Sequence, residues 1–233
     1  MTKVMRKYLG VLAALPLLLT PTISGAFELP TFAAGIGLTG SAVQVVGNES
    51  DPEGTKSGNI LDNVALEHAS IFGEVRFNVV DRLGLTVGVS VIPGDARFVT
   101  ESKPDTDLTS HTAGTNTGTS KVTGDIKNLA SAYIQPTVRL TDMFSVYVTA
   151  GLTTMDVTAD AQLVTSTNFN KTVSVEGTRF GAGVMAENAD GFFIKLEGNA
   201  VDYDEFTFTT SDSTVAKVDV DEENVSLLFG KAF

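Results

Sequence analysis

From Thr31 onward the chain alternates apolar and polar side chains with a period of two, and no stretch beyond the amino-terminal segment carries a convincing helical period. Successive side chains of a strand point to opposite faces, so such a pattern reads as a series of half-apolar strands. Eight are expected: Thr31–Val46, Ala65–Val80, Leu83–Ile92, Leu129–Leu140, Met143–Val157, Val173–Glu187, Gly191–Thr209 and Val218–Phe233. In the second, Ile71, Val75, Phe77 and Val79 share one face and Glu74, Arg76 and Asn78 the other. In the seventh, Phe192, Ile194, Leu196 and Ala200 oppose Lys195, Glu197 and Asn199.

The connections alternate between short and long. Asp81-Arg82, Thr141-Asp142 and Asn188-Ala189-Asp190 are tight turns made of turn-forming residues. Gly47–Asn63, Pro93–Lys127, Thr158–Thr172 and Thr210–Lys217 are long links rich in Ser, Thr, Asn, Gly and Asp. The 93–127 link is far longer than ordinary loops. An even number of strands, with short turns at one end and long loops at the other, is the layout of a transmembrane barrel.

Alternation alone does not say which face is wet. A solvent-facing set should be dominated by Lys, Glu, Arg and Asp. Here the polar set holds mostly small residues, among them Gly35, Gly37, Gly88, Ser90, Gly181, Gly183, Ser226 and Gly230. An eight-stranded barrel is only wide enough for side chains to fill it, and crowding favours small ones. The few charges come in both signs: Glu74, Arg76, Arg139, Arg179, Glu187, Lys195 and Glu197. Buried charges must be paired, so these residues are expected to interlock as a lumen charge network. The polar set therefore belongs in the lumen and the apolar set against lipid, where a closed barrel satisfies every backbone polar group. The opposite arrangement is a soluble, lipocalin-like barrel around a small ligand. Pro136 fits poorly in a ladder and suggests a bulge. Phe32, Phe144, Phe192 and Phe233 gather near the short-turn end.

The first residues read as a secretory signal. Lys3, Arg6 and Lys7 precede an apolar run from Tyr8 to Leu19, too short to span a bilayer, and Ser24-Gly25-Ala26 suits cleavage. Residues 1–26 are expected to be removed, leaving 27–233 as one barrel domain with four long extracellular loops. That mature part has 13 basic and 28 acidic residues, a balance of −15. Nucleic acid is excluded as a partner by that charge. There is no cysteine, so no disulfide staples the fold.

Signals for catalysis are poor. No His and Cys cluster suits a metal, and no cofactor is expected. His111 lies in the long 93–127 link. His68 and Ser70 resemble the His-x-Ser pair of outer-membrane lipid A deacylases, in which the His activates the Ser. Their parity, however, puts them in the lumen, whereas that family's site faces lipid. The acidic surplus gathers in the links and near the long-loop end: Glu49, Asp51, Glu53, Asp105 and Asp107, then Asp202, Asp204 and Glu205 opposite Asp219, Asp221, Glu222 and Glu223. Such a rim keeps a surface solvated, or holds divalent cations weakly between itself and anionic lipopolysaccharide.

The last strand ends on Phe233, with Val225, Leu227 and Phe229 on the same side. It resembles the closing strand of bacterial outer-membrane β-barrels, and the mature chain as a whole resembles the OmpA-barrel, OmpX and opacity-type superfamily. The resemblance implies an all-β, eight-stranded antiparallel up-and-down transmembrane barrel in the outer membrane. It implies Phe233 as a signal read by the barrel-assembly machinery, with membrane lipid and lipopolysaccharide as surroundings. The function implied is structural or surface-interacting, with no enzymatic activity, a lumen closed by polar and charged side chains, and an external ligand, if any, at the loops. A narrow channel for small solutes stands second, and a lipid A-modifying enzyme third.

Overall fold

The structure, a computed structural model, describes residues 29–50, 57–94, 96–105, 118–162, 169–209 and 215–233. The expected signal segment and His111 lie outside them. Among the described residues ten strands are formed: β1 (Thr31–Ser50), β2 (Ser57–Val80), β3 (Leu83–Val91), β4 (Ala96–Asp105), β5 (Gly118–Arg139), β6 (Phe144–Gln162), β7 (Phe169–Glu187), β8 (Phe192–Tyr203), β9 (Phe206–Thr209) and β10 (Val215–Ala232). Eight of them form a closed antiparallel ring, β1-β2-β3-β5-β6-β7-β8-β10, sealed by β1 against β10. β4 and β9 are short extensions that pair with β5 and β10.

The strands outrun the sequence expectation at the long-loop end. The 93–127 link contains β4 and the first ten residues of β5, which pair antiparallel from Ala96 with Ile126 to Asp105 with Gly118. β1, β2, β6, β7 and β10 likewise extend into the expected loops, and the expected 191–209 strand is broken at Asp204-Glu205. Gly, Asn and Asp are weak strand formers, so the richness of these links in them read as loop.

The registers fix the barrel's geometry. Stepping round from Ala34 through Gly73, Val89, Ala132, Leu152, Thr178, Asp202 and Asp221 returns to β1 at Gln44, ten residues above the start. With strands ~4.8 Å apart and ~3.3 Å per residue, that offset sets a tilt of ~40° and a radius of ~8 Å. Each residue then climbs ~2.5 Å along the axis. Pro136 sits opposite Leu85 on β3. On the β6 side the ladder passes from Ile134–Ala150 to Thr137–Tyr147 without a register shift. The missing N–H therefore leaves a gap in the ladder rather than the bulge expected from sequence. A true register shift occurs higher, between Lys127 and Ala130, where Asn128 has a φ of +53°.

The strands change character part-way up. Near the short turns the outward residues are apolar and exposed, including Phe32, Ile36, Leu38, Ile71, Val148, Leu152, Ile194, Leu196, Val225 and Leu227. Phe32, Phe144, Phe192 and Phe233 ring that end. On β6 this face runs from Phe144 to Leu152, and on β8 from Phe192 to Ala200. At ~2.5 Å per residue each stretch covers ~20 Å, close to the ~25 Å apolar band of an outer-membrane barrel. Above it the outward residues become Glu67, Asp156, Glu176, Asp202, Asp221 and Glu223, while the inward ones become apolar. Val43, Leu66, Ile126, Met155, Val157, Val175, Val201, Tyr203, Phe206 and Val220 form one buried cluster across the bore. The lower barrel is thus built for lipid outside and polar groups inside, and the upper barrel for the reverse.

Candidate functional site: the barrel lumen

The inward positions of the lower barrel place the charged side chains on facing strands. Glu74 and Arg76 on β2 are bonded to each other, Arg76 Nη2 to Glu74 Oε2 at 3.0 Å, and Arg76 Nη1 reaches Glu187 of β7 at 2.8 Å. Lys195 of β8 donates to Glu74 and, at 2.9 Å, to Gln135 Oε1. The amide nitrogen of Gln135 donates to Glu197 at 2.8 Å, as does Thr149 at 3.1 Å. Arg179 donates to Glu197 from one side, and its Nε reaches Asn199 at 3.0 Å. Tyr133 closes the set with a 3.1 Å bond to Glu74.

Packing supports these bonds. Arg76 lies 4.0 Å above the Phe193 ring, and Phe72 and Phe193 meet at 6.1 Å between ring centres. Room for the rings comes from glycine. A Cβ on Gly88 would lie 2.5 Å from the Tyr133 ring, and one on Gly183 equally close to Tyr147. Glu197 is 1% exposed and Lys195 2%. Among the described residues, Tyr147 Oη is the only buried side-chain polar atom without a hydrogen-bond partner. Interiors this fully bonded are expected where water cannot enter freely.

Of the seven residues singled out by charge and parity, six therefore meet in the bore. Arg139 does not. It is exposed at the short-turn rim and forms no ion pair among the described residues. Sequence reasoning missed Gln135, Asn199, Asn224 and Glu222 as members. Glu222, read as part of an acidic rim, points inward and is buried. It accepts from Ser41 at 2.7 Å, Asn224 at 2.9 Å and Tyr203 at 3.0 Å. Asn224 in turn accepts from Asn199 at 2.9 Å, so one chain of contacts runs from Glu187 at the rim to Glu222 near the apolar cluster. The available signal was parity, since Glu222 is an even number of residues from Ser226.

His68 and Ser70 also face inward, lining a cavity between the charge network and the apolar cluster. At the outer surface Asp202 lies directly opposite Asp221. Partial burial, Asp219 and Asp204 raise the carboxyl pKa of Asp202, and partial burial, Asp202 and Asp219 raise that of Asp221. Asp156 is lowered by bonds from Asn128 and Ser174. Lys231, on the lipid side at the other end, sits 4.6 Å from the centre of the Phe192 ring and 5.7 Å from that of Phe233.

Comparison with known proteins finds the family model described as outer membrane protein beta-barrel domain over residues 10–229. Among solved structures, Ail of Yersinia pestis, crystallised with the heparin analogue sucrose octasulfate, is 14% identical, over 88% of this chain and 100% of its own, with a TM-score of 0.43. The Escherichia coli outer membrane protease OmpT is 8% identical over 91% of this chain and 100% of its own, with a TM-score of 0.50. Neisserial surface protein A is 12% identical over 86% and 99%, with a TM-score of 0.33. No curated protein matches the chain.

Proposed function

We propose, from the premise that the chain belongs to the outer membrane protein beta-barrel domain family, that it serves as a closed barrel whose work is structural or done at its outer end. The observation that carries this reading is the double closure of the bore. The bonded charges of Glu74, Arg76, Arg179, Lys195 and Glu197 fill it within the membrane, and the apolar cluster around Met155, Val201 and Phe206 fills it above. A permeating ion would have to break buried pairs in a low dielectric. Planar-bilayer recording of the refolded mature protein tests this: silence is expected, and a steady conductance would establish the rival narrow channel. We assign it no lipid A-modifying activity, because His68 and Ser70 face the lumen and not the lipid. Unchanged lipid A in cells overproducing the protein is the matching expectation.

Three further assignments belong to this reading. Residues 1–26 act as a cleaved signal, so the mature protein starts at Phe27, which amino-terminal sequencing checks. Phe233 acts as the assembly signal, and its removal should leave unfolded chain in the periplasm. The acidic belt of Glu67, Asp156, Glu176, Asp202, Asp221 and Glu223 meets lipopolysaccharide through divalent cations. Calcium should then raise the thermal midpoint in lipopolysaccharide-containing bilayers more than in plain phospholipid.

A further inference from the structure

Glu222 is 8% exposed, and among the described residues no basic side chain pairs with it. Its three hydrogen-bond partners, Ser41, Asn224 and Tyr203, are neutral donors. Arg179 reaches it only through the amides of Asn199 and Asn224, which relay hydrogen bonds but carry no net charge. A buried carboxylate without a counter-charge is costly unless it takes up a proton or a cation arrives from elsewhere. Three donors leave one of its roughly four lone-pair positions open.

That side opens on space. Glu222 lines the cavity below the apolar cluster together with His68 and the hydroxyl groups of Thr39, Ser131, Thr153 and Ser226. Measured to the centre of a water molecule, the cavity's volume is about 50 Å³, enough for a few waters and too small for an organic ligand of any size. A second, largely apolar crevice joins Glu222 and His68 to Leu66, Ile92, Gly94 and Ile126. It lies where the wall is weakest. β3 ends at Val91, β4 pairs only with β5, and β2 above Ile71 has no ladder partner on that side among the described residues.

We propose that the cavity beside Glu222 binds one small monovalent cation, entering through the seam between β2 and β4. The charge count selects the valence. Glu197, the other carboxylate lining the cavity, is already matched by Arg179. One free carboxylate with neutral oxygen ligands suits a singly charged ion. A divalent ion ordinarily draws on more than one carboxylate, and the Arg179 guanidinium in the same cavity opposes a second positive charge.

The test is thermal unfolding of the refolded mature protein in detergent micelles, in sodium chloride, potassium chloride or N-methylglucamine chloride at equal ionic strength. The bulky cation cannot enter the cavity. A midpoint higher by roughly 3 °C in sodium or potassium is expected, and Glu222→Gln should abolish the difference. Glu223→Gln, its outward neighbour, should retain it. Should Glu222→Gln not refold, His68→Lys serves, because its ammonium fills the same space and should also remove the cation effect. Equal midpoints in all three salts, a retained difference in either lumen variant, or its loss in Glu223→Gln would overturn the proposal.

Discussion

Replacing Glu197 with Leu strips the lumen network of its central acceptor. Glu197 takes bonds from Gln135 at 2.8 Å, from Thr149 at 3.1 Å and from Arg179. Gln135 has a fallback, since its Nε2 already donates to Thr149 at 3.1 Å, and the Thr149 hydroxyl loses one bond as a neutral donor. Arg179 keeps only the neutral oxygen of Asn199 and the face of the Tyr133 ring, whose centre lies 5.6 Å from its guanidinium carbon. The cost is therefore dominated by one guanidinium left charged in a site where its side chain is 14% exposed. Breaking a buried pair in this way costs about 3–5 kcal/mol. At a urea slope of ~2 kcal/mol/M the unfolding midpoint should fall by roughly 2 M. Removing both partners, Arg179→Met with Glu197→Leu, leaves no orphan charge and should return most of that loss, to within about 1–2 kcal/mol of the parent. Urea unfolding in lipid vesicles, followed by far-UV circular dichroism, measures both. A single variant within about 1 kcal/mol of the parent would refute the reasoning, as would a double variant whose losses simply add.

Other outcomes follow from the same geometry. Gly183→Ala drives a methyl into the Tyr147 ring and the Leu196 carbonyl and should destabilise by about 1–3 kcal/mol, whereas Gly73→Ala, with open space at its Cβ, should cost far less; denaturant midpoints decide. The raised carboxyl pKa values of Asp202 and Asp221 mean that their ionised forms weaken the folded state at neutral pH. Asp202→Asn should therefore raise the thermal midpoint at pH 7 in chelator. The gain should vanish as pH falls below the ordinary carboxylate value of about 4; an equal gain at both pH values, or a loss at pH 7, would contradict this. Neutralising Arg76, Arg179 and Lys195 together should still leave bilayers silent, because the cluster of Met155, Val201, Phe206 and Val220 closes the bore above them.

How much of this was legible in the sequence depended on which half of a strand was being read. In β8, Phe192, Ile194 and Leu196 against Lys195, Glu197 and Asn199 fixed both faces and the place of the charges. From Val201 the rule inverts. Val201 and Tyr203 turn inward and Asp202 outward, because the wall there faces water instead of lipid. A single rule of polar inside and apolar outside, carried to the end of each strand, hides the apolar cluster and puts Glu222 on the rim. The continuation of β4 and β5 was hidden for another reason. Gly118, Gly124 and Asp125 have little strand preference of their own, and pairing with β4 and β6 is what carries the strand through them. Arg139 had the right parity but sits at the last residue of β5, its N–H bonded to the Arg82 carbonyl, too low to reach the network.

The inversion along β8 is the most direct test. The chain has no cysteine, so single cysteines from Phe192 to Tyr203 can carry a spin label one at a time in lipid vesicles. Collision with oxygen, which concentrates in lipid, and with a water-soluble nickel chelate reads each side's surroundings. High oxygen access is expected at 192, 194, 196 and 198, low access to both reagents at 193, 195, 197, 199 and 201, and high nickel access at 202. A strand whose apolar positions are closed to oxygen while 195 and 197 are open to nickel would mean that the apolar face turns inward, and the membrane-spanning barrel would be wrong.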